Sequence, residues 1–177
     1  GVVAVAFRIA GALAANATTT TLAIVAPTTG VAENDIFIAV INNKDNQVVT
    51  APANWTKFAE VNNTTAQRLT VAWKRVVAGD AGATFNFTKP TDNNTLFCGV
   101  IAAFSGAITT GDPTTGAGTA TTSANASSDT VTYATFDPLI ACHVLAAGIY
   151  GNDLTTAGTI SGTNPTLDNR WDLETAL

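Results

Sequence analysis

Alternation of apolar and polar side chains with a period of two dominates this chain, and that is the repeat of a β-strand. In residues 68–77, Leu69, Val71, Trp73 and Val77 share one side, and Thr70, Ala72 and Lys74 take the other. Arg75 falls on the apolar side, where it must sit at an exposed end or find a partner. Residues 84–88 bring Phe85 and Phe87 together, and residues 130–136 do the same for Val131 and Tyr133. These segments read as half-buried antiparallel strands. Residues 35–42, 96–104 and 139–150 are apolar at nearly every position, which suits strands in the middle of a sheet covered on both faces. Weaker strand patterns cover residues 2–9, 20–26, 48–51 and 56–61.

Turn chemistry separates these runs. Residues 42–46 (Asn-Asn-Lys-Asp-Asn) form a polar connector, and residues 78–82 (Ala-Gly-Asp-Ala-Gly) have the length of a hairpin turn. Residues 107–129 are rich in Thr, Gly and Ala and read as a long surface loop. Residues 10–17 offer one or two turns of helix. The pattern predicts an all-β protein of about ten strands. It would be an antiparallel β-sandwich, jelly-roll-like, in a single domain over residues 1–177 with an N-terminal strand or arm at 1–19. A strand, a turn with Asp, a buried strand, a polar turn and a Trp occur in that order before Trp55 and again before Trp171, which implies two pseudo-related halves. By that symmetry further strands should follow Leu177.

Composition narrows the function. The net charge is −5, only 12% of residues are charged, and no stretch is strongly basic, which argues against binding nucleic acid through phosphate contacts. The longest nearly apolar run, residues 139–150, is too short to cross a bilayer as a helix, so no membrane insertion is expected. The chain contains no Met, which marks it as processed or cut. Ala and Thr supply 32 and 31 residues, whereas there is one His, two Cys and three Glu.

That inventory supports no enzyme and no cofactor. His143 alternates with Leu139, Ala141 and Leu145, as a core imidazole would, and no G-x-S-x-G elbow accompanies it. The acidic residues lie mostly in turns, where they satisfy backbone groups. One His and two distant Cys do not make a zinc site. Residues 42–46 and the pair Asn152-Asp153 could offer oxygen to calcium, but neither has the spaced acids of a calcium loop. Cys98 and Cys142 lie in apolar runs, either as buried thiols or as a disulfide pair. Asn-x-Thr/Ser triplets begin at Asn16, Asn54, Asn62, Asn63, Asn86, Asn93 and Asn125, several of them by chance in so Asn- and Thr-rich a chain.

Three features are candidates for contact with other molecules. Trp55, in Pro52-Ala53-Asn54-Trp55-Thr56, is either a ring closing the end of the core or a platform for stacking a sugar. Tyr150 is the other candidate ligand or interface aromatic. Val3, Val5, Phe7 and Ile9 alternate at the chain's start, as in a strand that adds to the sheet edge of a neighbouring copy.

The order of several segments resembles β-sandwich modules of tailed-bacteriophage virion proteins and related bacterial surface proteins. The segments are the Asp35-led apolar strand to Ile41, the Pro52–Trp55 turn, Trp73-Lys74, Phe85-Asn86-Phe87, and Gly99 through Gly106. Those modules carry an Asp-led apolar strand, a Pro-x-Gly-Trp-Thr turn, a Tyr/Trp-Lys strand and a closing Ala-x-x-Gly stretch. The resemblance covers about residues 20–106. Here Asn54 stands where that turn usually has Gly. The resemblance implies a virion structural protein, a capsid decoration, tail or fibre component, located on the virion surface and acting by assembly and attachment. Its partners would be other copies of itself and other virion or surface proteins. The alternatives are a module binding a host-surface glycan or receptor, and a subunit of a bacterial or archaeal extracellular filament held by strand exchange.

Overall fold

The computed structural model describes residues 5–63 and 67–115. Within them the chain forms eight strands and no helix. They are β1 (Ala6–Ala10), β2 (Ala14–Asn16), β3 (Thr21–Val25), β4 (Ile36–Asn43), β5 (Thr56–Asn63), β6 (Gln67–Arg75), β7 (Thr84–Thr88) and β8 (Phe97–Ser105). All pairings are antiparallel, in a six-stranded sheet ordered β1-β8-β4-β6-β5, with β2 also on β8, and a two-stranded sheet of β3 and β7. The two sheets pack face to face as a β-sandwich.

The fully apolar runs fall where both faces need cover. β4 lies between β8 and β6, and β8 lies between β4 and the N-terminal strands. Phe37, Ala39 and Ile41 of β4 and Phe97, Ile101 and Ala103 of β8 point to the smaller sheet, where they meet Leu22, Ile24 and Phe87. The third run, residues 139–150, and the strand pattern at 130–136 lie outside the described residues. So do the second pseudo-related half and residues 116–129 of the long loop. The described part of that loop, 107–115, is turn and coil, and Asp112 accepts hydrogen bonds from the Thr114 backbone N–H and hydroxyl.

Four expectations are corrected. β6 is a central strand, and its side facing the smaller sheet is the polar-looking one, with Thr70, Ala72 and Lys74. The register sets this: Phe37 opposes Lys74 and Ala39 opposes Ala72, while Ile38 opposes Trp73 and Val40 opposes Val71. Rings already fill the space under β6, so small Ala72 fits where Trp73 would not. Beyond the strand Val76 enters the core and Val77 is exposed.

Residues 78–82 do not close a hairpin. Two successive turns, Asp80 N–H to Val77 O and Ala83 N–H to Asp80 O, carry the chain from one sheet to the other. Residues 10–17 are extended rather than helical. Residues 48–51 make only a bridge, Thr50 with Thr88, that widens the smaller sheet.

β1 and β2 run along one edge of β8 as an interrupted strand. Gly11 joins them, donating its N–H to Ile101 O at 2.8 Å. A Cβ at Gly11 would lie 2.9 Å from Val25 O, so only glycine lets the strand pass beneath β3.

Candidate functional site

Trp55 is placed by a turn whose geometry follows from its residues. The Trp55 N–H reaches Pro52 O at 3.2 Å, and Asn54, the third residue of the turn, has φ of 66°. Asn tolerates this left-handed conformation better than other non-glycine residues, so it serves where the resembling modules use Gly. The turn tips the indole into the sandwich. It stacks on Phe37 at 6.4 Å and meets Phe85 and Phe87 edge-on at 5.2 and 5.3 Å. The residue is only 8% exposed. With three rings around it, no face is left to stack a sugar: Trp55 is a core residue, and the platform reading is withdrawn. Its Nε1 is buried without a hydrogen-bond partner.

Two buried ion pairs flank this cluster. At the connector end, the Lys89 side chain is wholly buried, with its amine 2.9 Å from Asp45 Oδ2 and 5.6 Å from the Phe97 ring centre. Asp45 also accepts from the Thr95 hydroxyl, the Gln47 backbone N–H and the Gln47 side-chain amide. Burial by itself raises the Asp45 carboxyl, but the hydrogen bonds from Lys89, Thr95 and Gln47 and the Lys89 charge outweigh it and hold the group below its ordinary value. The one carboxylate in residues 42–46 is thus committed to Lys89, which removes it from the calcium reading. At the other end, Lys74 runs beside Phe85 and pairs with Asp80, which also accepts the Val77 backbone N–H at 2.8 Å. An aspartate in each loop lets a lysine stem fill core volume while its charge is answered.

The N-terminal candidate strand is divided. Phe7 opposes Phe104 and Ile9 opposes Ala103, so Arg8 is an extra residue, a bulge that puts the two apolar side chains on opposite faces. Ile9 packs on the inter-sheet core, and Phe7 meets the Phe104 ring edge-on at 5.7 Å on the other side. Arg8 turns to Asp35 at 2.9 Å. Val5 directly precedes β1, and Val3 lies outside the described residues. The strand pairs with its own chain's β8, so pairing with a neighbour is no longer needed to satisfy it. The opposite edge, β5, also carries a bulge, at Phe58, and the charges of Lys57 and Glu60. Bulges and charges on an outer strand hinder edge-to-edge addition.

Cys98 lies on β8, facing away from the smaller sheet. Burial pushes its thiol up to about 11, against a hydrogen bond with Asn42 that lowers it. At neutral pH it is a protonated, weakly reactive group. Cys142, His143 and Tyr150, with Asn152-Asp153, lie outside the described residues. Among the described residues no three His, Cys, Asp or Glu side chains gather as a metal site would require.

Pattern reasoning missed the two ion pairs. Their signal was present as Lys74 and Lys89 inside or beside apolar strands, each with an Asp in a nearby polar turn. No family model, curated protein or solved structure matches the chain.

Proposed function

We propose that the chain is a structural component of a bacteriophage virion, a capsid decoration, tail or fibre protein that works by assembly and surface attachment. One observation supports this above others: the residues that carry the resemblance serve as framework. Asp35 ties β1 to the start of β4 through Arg8, Trp55 closes the core, and Lys74 is spent on Asp80. Side chains with chemistry to offer are used to hold two sheets together, as suits a protein whose product is a rigid surface. Repeated copies on a particle would meet through loops and sheet faces rather than through the bulged, charged edges of the larger sheet.

The test is direct. Electron microscopy and peptide mass spectrometry of the particles made by the source of this sequence should find the chain at many copies on a capsid or tail. Its recovery in a cell-bound or secreted filament, with none on particles, would overturn the reading. Glycan binding by the full chain that is abolished by Tyr150→Ala, with folding intact, would favour a receptor-binding module instead.

A further inference from the structure

The chain leaves β8 at Ser105 and reaches a turn at residues 112–115, Asp-Pro-Thr-Thr. Asp in the first place and Pro in the second suit a β-turn, because the Asp side chain takes up backbone N–H groups and Pro fixes φ. The turn is held from its upstream side: Gly111, at φ of 75°, gives its carbonyl to the Arg75 guanidinium of β6 at 3.1 Å. Among the described residues Arg75 is the charged group bound to this segment. Within the turn the Asp112 carbonyl oxygen accepts twice from Thr115, from the hydroxyl at 2.9 Å and from the backbone N–H at 3.3 Å. Asp112 Oδ1 accepts from the Thr114 N–H at 2.8 Å and from the Thr114 hydroxyl at 2.6 Å. A carboxyl group is thus pinned in the same residue as a carbonyl that two donors polarise, and Asp112 is exposed to water.

We propose that the Asp112–Pro113 bond is a self-cleavage site, at which the chain separates its β-sandwich from residues 113–177 without a protease. Asp112 Oδ2 attacks the Asp112 carbonyl carbon, and a cyclic anhydride forms as the bond from that carbon to the Pro113 nitrogen breaks. The carboxyl proton passes through solvent to the nitrogen, which leaves as a secondary amine. Water then opens the anhydride and leaves Asp112 with two carboxyl groups, so one water is consumed and nothing is oxidised or reduced. The attacking oxygen and the carbonyl belong to one residue, which gives the reaction a high effective concentration. The two Thr115 donors answer the negative charge that grows on the Asp112 carbonyl oxygen, the role of an oxyanion hole. Pro113 makes the scissile bond a tertiary amide, and its departing nitrogen is the more basic for it. The step starts from the protonated carboxyl, so mild acid favours it. A second Asp-Pro pair, Asp137-Pro138, is a built-in reference for what the dipeptide does by itself. The inference does not depend on what the chain assembles with.

The experiment incubates the purified full chain at about pH 4–5, where carboxyl groups titrate, and follows its fragments by intact-mass spectrometry. Folded chain should yield fragments 1–112 and 113–177 at a rate independent of protein concentration. That rate should be roughly tenfold or more above the rate of the same bond in guanidinium chloride at the same pH, where Asp137-Pro138 reports the dipeptide's own lability. This comparison uses the unaltered chain and so does not depend on any variant folding. Thr115→Val, which keeps the branched shape and loses the hydroxyl, should slow folded cleavage roughly tenfold with the circular dichroism unchanged. Asp112→Ser keeps an oxygen to cap the turn and should abolish the cut. A folded rate no higher than the unfolded one, a rate that rises with protein concentration, an undiminished rate in Thr115→Val or a cut that persists in Asp112→Ser would each overturn the proposal.

Discussion

The two faces of the six-stranded sheet differ in how they are completed. The inner face meets a partner of matching shape: Phe37, Phe85 and Phe87 surround Trp55, and Ile24 fills the space left by Gly99. A Cβ at Gly99 would lie 3.0 Å from both Ile24 Cδ1 and Val40 O, so the glycine is there for close packing. Inner charges are answered in place, Lys74 by Asp80 and Lys89 by Asp45, while the neutral Trp55 Nε1 and Asn43 Oδ1 stay buried without partners. The outer face is just as apolar, and one of its partnerless buried atoms, Arg75 Nη1, belongs to a charged group. Apolar patterning alone therefore does not say which side of a sheet is the core. Complementary volume and satisfied charge do.

The largest effect should come from cutting an inner ion pair. Asp45→Ala leaves the Lys89 amine buried without its counter-charge, with only the Thr95 hydroxyl and the Phe97 ring beside it, and the expected loss of stability is about 3–5 kcal/mol, read from urea unfolding. A loss under about 1 kcal/mol would mean that the amine escapes to water and that the connector end is looser than described. Truncation at neighbouring positions of β4 compares the faces directly. Ile41→Ala, on the inner face, should cost about 2–5 kcal/mol, and Ile38→Ala, half-buried on the outer face, about 1 kcal/mol. Equal losses would erase the distinction.

At Trp55 the turn can be tested apart from the ring. Asn54→Val should cost about 1–2 kcal/mol, because a β-branched residue resists positive φ, while Asn54→Gly should stay near the parent stability. The smallest effect is that of acid. The folded Asp45 carboxyl lies below its unfolded value, so its contribution is complete above the unfolded carboxylate pKa and is lost as pH falls through the lowered folded one. Urea midpoints should therefore decline below about pH 4. Asp45→Asn, already lacking the charge, should show less of that decline.

Much of the sandwich was legible in the residues. The double-sided apolar runs of β4 and β8 read as interior strands, favoured over a short buried helix by their β-branched and aromatic content, and Phe85 and Phe87 on one side of β7 announced an inner face. The bulge at Arg8 was not legible, because alternation gives no warning of an inserted residue; it divides Phe7 from Ile9 and undoes the stripe drawn from Val3 to Ile9. The facing of β6 was also hidden. Leu69, Val71 and Trp73 look like a core stripe, but hydrophobicity cannot distinguish two apolar faces of one sheet.

By itself, then, the sequence determined the class and the punctuation: alternation imposes strands, and Asn54, Gly79 and the polar connector at 42–46 impose turns, because these are local consequences of backbone sterics and side-chain periodicity. Only the tertiary structure decided that Trp55 is enclosed, that Lys74 and Lys89 lie buried beside aspartates, and which side of the larger sheet meets the smaller. Those outcomes depend on which volumes and charges come together from positions far apart in the chain, and no window along the sequence contains them.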